Sequence, residues 1–98
     1  MPPSRETILE KLREIKPILK EKYQLNEMAL FGSYARNEQT SQSDLDIMVS
    51  TERIPFREYC KMYNFIEDIF VDIKVEIVSK KAIRPQYFER MKKDLIYA

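Results

Sequence analysis

The chain contains a single glycine, Gly32, among its 98 residues. Average usage predicts about seven glycines in a chain of this length. Because glycine adopts left-handed backbone without a steric penalty, nearly all turns of this fold must be built from other residues. Gly32 is therefore either accidental or placed where the chain needs a backbone that carries no side chain.

The composition excludes several kinds of site. The sequence has no His and one cysteine, Cys60. A disulfide framework, a zinc site with imidazole ligands and every catalytic triad that depends on His are therefore excluded. Any catalysis must use carboxylates, hydroxyls or cations.

Hydropathy and charge limit the surroundings and the partners. The longest apolar run, Met28 to Phe31, has four residues, and the N-terminal segment lacks the pattern of a signal peptide. The 17 basic and 16 acidic side chains leave a formal net charge of +1, which provides no broad basic field. We expect a soluble cytoplasmic protein that binds neither membranes nor nucleic acid directly.

Three segments have the apolar spacing of amphipathic helices. The first follows Ser4, a candidate N-cap, and Pro17 predicts a kink or a restart within it. The central helix follows Pro55 and the last one follows Pro85. The three apolar stripes are Ile8, Leu12, Ile15, Leu19 and Tyr23; Phe56, Tyr59, Tyr63, Ile66 and Phe70; and Phe88, Met91 and Leu95.

Three other segments have the pattern of strands. Residues 27–31 are short and apolar, whereas 44–49 and 72–78 alternate between apolar and polar side chains. A short helix is predicted over 33–37. The order helix, strand, short helix, strand, helix, strand, helix predicts one α/β domain over residues 1–98, with a small mixed three-stranded sheet and helices on one face.

Asp44 and Asp46 share one face of the second predicted strand. Their Cα atoms are about 6.5 to 7 Å apart in a strand, so their carboxylates can converge on hard cations. Two metal ions held in this way suit phosphoryl or nucleotidyl transfer. Glu76 on the third strand is a candidate third ligand, with Asp72 as the alternative. Solvated acids at a strand edge, or Glu76 paired with Lys74, are the simpler interpretations.

Gly32 and Ser33 lie where the first strand passes into the short helix. Bare backbone amides and a hydroxyl at a helix N-terminus stabilise phosphate oxygens. The simpler interpretations are a turn at Gly32 and an ordinary N-cap at Ser33. Nearby, Arg36 either pairs with the strand acids or a phosphate or is solvated. Tyr34 either stacks on a base or packs in the core or at the surface.

The combination of these motifs resembles the nucleotidyltransferase superfamily that includes DNA polymerase beta. Its signature is Gly-Ser, ten intervening residues and Asp-x-Asp, as in Gly32, Ser33, Asp44 and Asp46. LFGSYAR, SDLDIMV and KVEIVSKKAIRPQYFERM resemble the minimal nucleotidyltransferases, over nearly the whole chain. The resemblance implies that Gly32 and Ser33 contact the nucleotide triphosphate, and that Asp44, Asp46 and Glu76 are the catalytic acids that bind two Mg²⁺ ions.

The resemblance also implies a function. Many minimal nucleotidyltransferases are paired with HEPN-domain proteins as antitoxin and toxin. The resemblance therefore implies an antitoxin that transfers AMP from ATP to a tyrosine of a HEPN-domain toxin and so silences its RNase activity. The chain departs from the family at Glu76, where Asp is common, and at Asn37, where Gly is common. The alternatives are a binding module that neutralises the HEPN partner by occlusion, and an oligomeric enzyme that modifies a small molecule.

Overall fold

The computed structural model describes residues 2–98 and contains three substantial helices, one single-turn helix, four strands and a short 3₁₀ turn. In chain order these are α1 (Arg5–Tyr23), β1 (Leu25–Phe31), α2 (Gly32–Ala35), β2 (Leu45–Thr51), α3 (Phe56–Ile69), β3 (Val75–Ser79), the 3₁₀ turn (Lys80–Ala82), α4 (Pro85–Met91) and β4 (Ile96–Tyr97).

The four strands form one mixed sheet in the order β3-β2-β1-β4. β1 is antiparallel to both β2 and β4, while β2 and β3 are parallel. The sequence predicted the first three strands and missed β4. At two residues β4 is too short to show alternation, and Leu95 falls beyond the end of α4 at Met91.

Helix α1 begins as predicted but is not divided by its proline. The Ser4 hydroxyl accepts a hydrogen bond from the Thr7 amide at 3.1 Å, which confirms the N-cap. The prediction of a restart at Pro17 is wrong, because α1 continues for 19 residues. A helical proline costs roughly 3 kcal/mol. Burial of Ile15 and Leu19 on either side of it, at about 1.5 to 3 kcal/mol each, offsets that cost.

The main hydrophobic core lies between the sheet and helices α1 and α3. Alternate residues of β1, β2 and β3 face it, as the strand period requires. Phe56 was predicted to join the apolar stripe of α3, but its side chain is 81% exposed because it is the first residue of the helix, at the edge of the core. Representative members of this core are Leu12, Leu19, Met28, Leu30, Leu45, Ile47, Met62, Ile66 and Ile77.

The opposite face of the sheet is partly covered. Ala29 and Met48 point away from the main core and are nevertheless fully buried. The Lys80 ammonium lies 3.3 Å from a carboxylate oxygen of Glu27 and 5.4 Å from the ring centroid of Phe88 in α4. These contacts connect α4 to the opposite face, whereas α1 and α3 cover one face as predicted. None of the helices within residues 2–98 has both the length and the apolar character needed to span a membrane.

Replacing Leu12 by Ala tests the α1–sheet packing. Leu12 is fully buried, so Leu12→Ala should lower the free energy of unfolding by about 2 to 5 kcal/mol. Ile18, on the same helix and 39% exposed, provides a control whose Ala variant should lose under about 1 kcal/mol. Urea denaturation measures both, and equal losses would contradict the assigned helix face.

Candidate active site

The strand register brings Asp46 and Glu76 together. Asp46 of β2 is paired with Phe31 of β1 on one side and with Glu76 of β3 on the other. All three side chains project from the face opposite the main core, because they alternate with core residues such as Ile47 and Ile77. The parallel β2–β3 pairing therefore places side by side two acids that are 30 positions apart in the sequence.

Asp44 lies at the entrance to β2. It precedes the first strand residue, Leu45, whose amide donates a hydrogen bond to the Lys74 carbonyl at 2.8 Å. This bond holds the start of β2 against the segment that leads into β3. Asp44 is half-buried, and its negative charge acts on Asp46.

The pKa of the Asp46 carboxyl is raised in the folded protein. Burial, followed by the negative charges of Glu76 and Asp44, raises the pKa of Asp46 from the ordinary value of 3.8 to about 6. A side-chain hydrogen bond with Glu76 acts in the same direction, and the positive charge of Arg36 opposes it. The site thus concentrates negative charge in a partly desolvated place, where a bound cation relieves repulsion.

Gly32 faces the Asp46 carboxylate. Its φ is +76°, in the left-handed region that favours glycine. A Cβ atom added to Gly32 would lie 2.2 Å from Asp46 Oδ2 and 3.1 Å from Cγ. The backbone angle and the close approach both require a residue without a side chain, so the single glycine is placed rather than accidental. Sequence reasoning missed the Asp46 contact, since only the β1–β2 pairing creates it.

Helix α2 presents Ser33 next to this contact. Phe31 rather than Ser33 occupies the N-cap position, and no side chain caps the helix, so the interpretation of Ser33 as an N-cap is wrong. After α2, Asn37 has a φ of +61°, and its backbone amide donates a hydrogen bond to the Tyr34 carbonyl at 3.2 Å. Asn therefore accommodates the left-handed turn, as its short polar side chain allows.

Two neighbours of the motif have structural roles. Tyr34 is 1% exposed, which confirms the core interpretation, and burial raises the pKa of its hydroxyl. The Arg36 guanidinium lies 2.9 Å from a Glu38 oxygen and 3.1 Å from an Asp94 oxygen. Arg36 thus pairs with surface acids rather than with the strand acids, and it links the end of α2 to the segment before β4.

Asp72 does not lie on β3, contrary to the sequence prediction. The strand begins at Val75, and Asp72 is an exposed residue of the preceding turn. It lines a polar cavity of about 280 Å³ together with Asp44 and Lys74. Lys74 also approaches Glu76, with 3.8 Å between Nζ and Oε1, as the simpler interpretation of Glu76 anticipated. Both partners are more than half exposed, so this pair contributes little to stability.

Asp44, Asp46 and Glu76 provide oxygen ligands, the type that a hard cation prefers, but they are not arranged as a complete metal site. Within residues 2–98, no three His, Cys, Asp or Glu side chains are arranged as a ready-made metal site. Repulsion among Asp44, Asp46 and Glu76 is relieved when a bound cation offsets their charge. The arrangement suits reactions in which a cation and a phosphate chain arrive together.

Comparison with known proteins gives a family and a relative. Residues 12–97 match the family model described as "Nucleotidyltransferase domain". A Methanocaldococcus jannaschii protein named as a "putative protein adenylyltransferase" is 45% identical over 94 residues, covering 92% of this chain and 93% of the relative.

Solved structures show the same fold. One described as a "putative minimal nucleotidyltransferase" has a TM-score of 0.80 at 23% identity, covering 96% of this chain and 95% of its own. Another, with a TM-score of 0.56 at 18% identity, covers 95% of this chain and 66% of its own. It is described as a tri-AMPylated Shewanella oneidensis HEPN toxin in complex with MNT antitoxin. The four-stranded sheet agrees with the family match, as do Asp46 and Glu76 next to Gly32. The chain therefore belongs to the nucleotidyltransferase domain family.

Proposed function

We propose that the chain is the antitoxin of a toxin–antitoxin pair and that it transfers AMP from ATP to a tyrosine hydroxyl of a HEPN-domain toxin, which loses its RNase activity. The observation that carries the proposal is the row that Gly32, Asp46 and Glu76 form across the sheet, with Asp44 two residues before Asp46 in the chain. The name of the M. jannaschii relative and the AMPylated toxin complex support the same activity.

The site residues fit Mg²⁺ and a nucleotide in their chemistry. Asp44, Asp46 and Glu76 would hold two Mg²⁺ ions. The raised pKa of Asp46, caused first by burial and then by the charges of Glu76 and Asp44, indicates that a negative charge at this position is unfavourable without a counter-charge. Bound Mg²⁺ offsets phosphate charge and lowers the pKa of an attacking hydroxyl. The Gly32 and Ser33 amides, which no side chain caps, would contact the triphosphate.

The reaction itself is a displacement at phosphorus. The tyrosine oxygen forms a bond to the α-phosphorus of ATP as the bond to pyrophosphate breaks, and the hydroxyl proton passes to a carboxylate of the site. We propose that a carboxylate oxygen of Glu76 takes this proton. The Glu76 side chain is 51% exposed and faces solvent, from which the toxin tyrosine arrives. Asp46 is held beside Gly32 and is less accessible.

Occlusion without chemistry remains the second candidate. The Lys74–Glu76 pair and the departures from the family pattern at Glu76 and Asn37 favour it. In that case the chain would protect cells through the complex alone. The Asp44→Ala/Asp46→Ala double variant separates the candidates, because protection by occlusion survives the substitution and protection by AMP transfer does not.

AMP transfer is measured by incubating the chain with the HEPN-domain protein encoded beside it, ATP and Mg²⁺. We expect the HEPN protein to gain the mass of one or more AMP groups, and digestion to place them on tyrosine. The Asp44→Ala/Asp46→Ala variant should lose at least 100-fold in rate. An undiminished gain with that variant, or no gain with the native chain, would contradict the enzymatic proposal.

Substitution of Gly32 tests the approach to Asp46. In Gly32→Ala the new Cβ must displace the Asp46 carboxylate, and misplacing a catalytic group by about 1 Å costs roughly 100-fold in rate. The rise in melting temperature that Mg²⁺ with ATP produces should vanish as well. Glu10→Ala, at an exposed position of α1 outside the site, is the control and should keep that rise.

The raised pKa of Asp46 predicts a pH dependence of stability. Between pH 4 and pH 6 the folded protein binds more protons at this carboxyl than the unfolded chain does, so stability falls as the pH rises through about 6. Urea denaturation without divalent cations measures this. The Asp46→Asn variant should show a flatter profile over the same window, and identical profiles would show that Asp46 titrates at its ordinary value.

A further inference from the structure

An apolar groove runs between the start of α3 and the end of β3. Its cavity has a volume of about 600 Å³, larger than the 280 Å³ polar cavity beside Asp44. Ile54, Phe56, Tyr59, Val78 and Ile83 are among its lining residues, and we call it the α3–β3 groove. The proposed reaction assigns no role to it.

Phe56 is the most exposed large hydrophobic side chain of the groove. It is 81% exposed, and it also borders a second cavity of about 410 Å³ on the outer side of α3. Phe56 is therefore a ridge between two apolar depressions. Aromatic side chains in such positions are typical anchors of protein interfaces.

The edge of β3 limits how a partner can fill the groove. The Tyr63 hydroxyl accepts a hydrogen bond from the Ile77 amide at 3.4 Å. This contact occupies the sheet edge at Ile77, so an added strand would have to displace it. A partner helix, which fills a groove with side chains, meets no such competition.

The rim of the groove is basic. Four exposed cations adjoin lining residues in the chain: Arg53, Arg57, Lys81 and Arg84. None of the four forms an ion pair with any of residues 2–98, whereas the chain as a whole has a formal net charge of only +1. An apolar groove with a basic rim is complementary to an amphipathic segment with acidic flanks.

The groove lies along the same strand as Glu76. Val78, which lines the groove, is two residues after Glu76 on β3 and therefore projects from the same face of the sheet. We propose that the α3–β3 groove binds an acidic amphipathic helix of the acceptor protein and thereby holds the acceptor tyrosine near Glu76. This inference rests on the proposed function for the identity of the acceptor, but the docking surface itself is independent of any transfer.

The test measures binding to the HEPN-domain protein of the transfer assay, in the Asp44→Ala/Asp46→Ala background and without ATP. Phe56→Ser should weaken binding at least 10-fold, and because the side chain is exposed the variant keeps its fold. Val71→Ser is the matched control: Val71 is 78% exposed, lies outside the groove, and should change affinity less than 2-fold. Absence of AMP transfer in the native chain would refute the enzymatic proposal and leave this comparison valid.

Charge reversal tests the rim separately. Arg57→Glu should slow association at least 5-fold at low salt, whereas Arg13→Glu, an exposed arginine on α1, should not. Affinity unchanged by Phe56→Ser, or equal losses for Phe56→Ser and Val71→Ser, would overturn the proposal. Two other results would also overturn it. In the first, the native chain is a dimer that Phe56→Ser dissociates while toxin binding persists. In the second, the chain binds a single-stranded RNA probe, and Arg57→Glu abolishes that binding.

Discussion

The close approach of the Gly32 backbone to the Asp46 carboxylate is the constraint on which the candidate site depends. A Cβ at residue 32 would lie 2.2 Å from Asp46 Oδ2. Pairing of β1 with β2 creates this contact, and pairing of β2 with β3 places Glu76 on the other side of Asp46. A shift of either register by one residue would turn the acids into the core. The apolar side chains on the reverse of the same strands therefore hold the polar site in place.

Charge is distributed unevenly over a chain that is nearly neutral in total. Asp44, Asp46 and Glu76 concentrate negative charge at one end of β2 and β3. Burial and then the charges of Glu76 and Asp44 raise the pKa of Asp46 to about 6. Basic side chains flank the groove at the other end of β3. Binding of cations and docking of an acidic partner would each offset one of these concentrations. The formal net charge of the chain gave no indication of either concentration, because its acidic and basic side chains are nearly equal in number.

Local patterns predicted most of the elements, with informative exceptions. Ser4 caps α1 as expected, since a cap depends only on residues a few positions away. Pro17 was expected to divide α1, but burial of its neighbours on the sheet outweighs the lost backbone bond. β4 was missed because two residues show no period, and its strand conformation depends on pairing with β1. Phe56 fits the apolar spacing of α3, but it is the first residue of the helix and its side chain lies outside the core.

The sequence by itself determined which chemistry is available: no imidazole, one glycine, and carboxylates spaced to share a strand face, in a pattern that resembles a nucleotidyltransferase. These depend on residue identity and on the period of a strand, which are local properties. Only the tertiary structure decided that Glu76 rather than Asp72 is the strand neighbour of Asp46, and that Gly32 leaves room for a carboxylate. Both depend on pairing between strands distant in the chain, and only the burial of all three strands on one core selects that register.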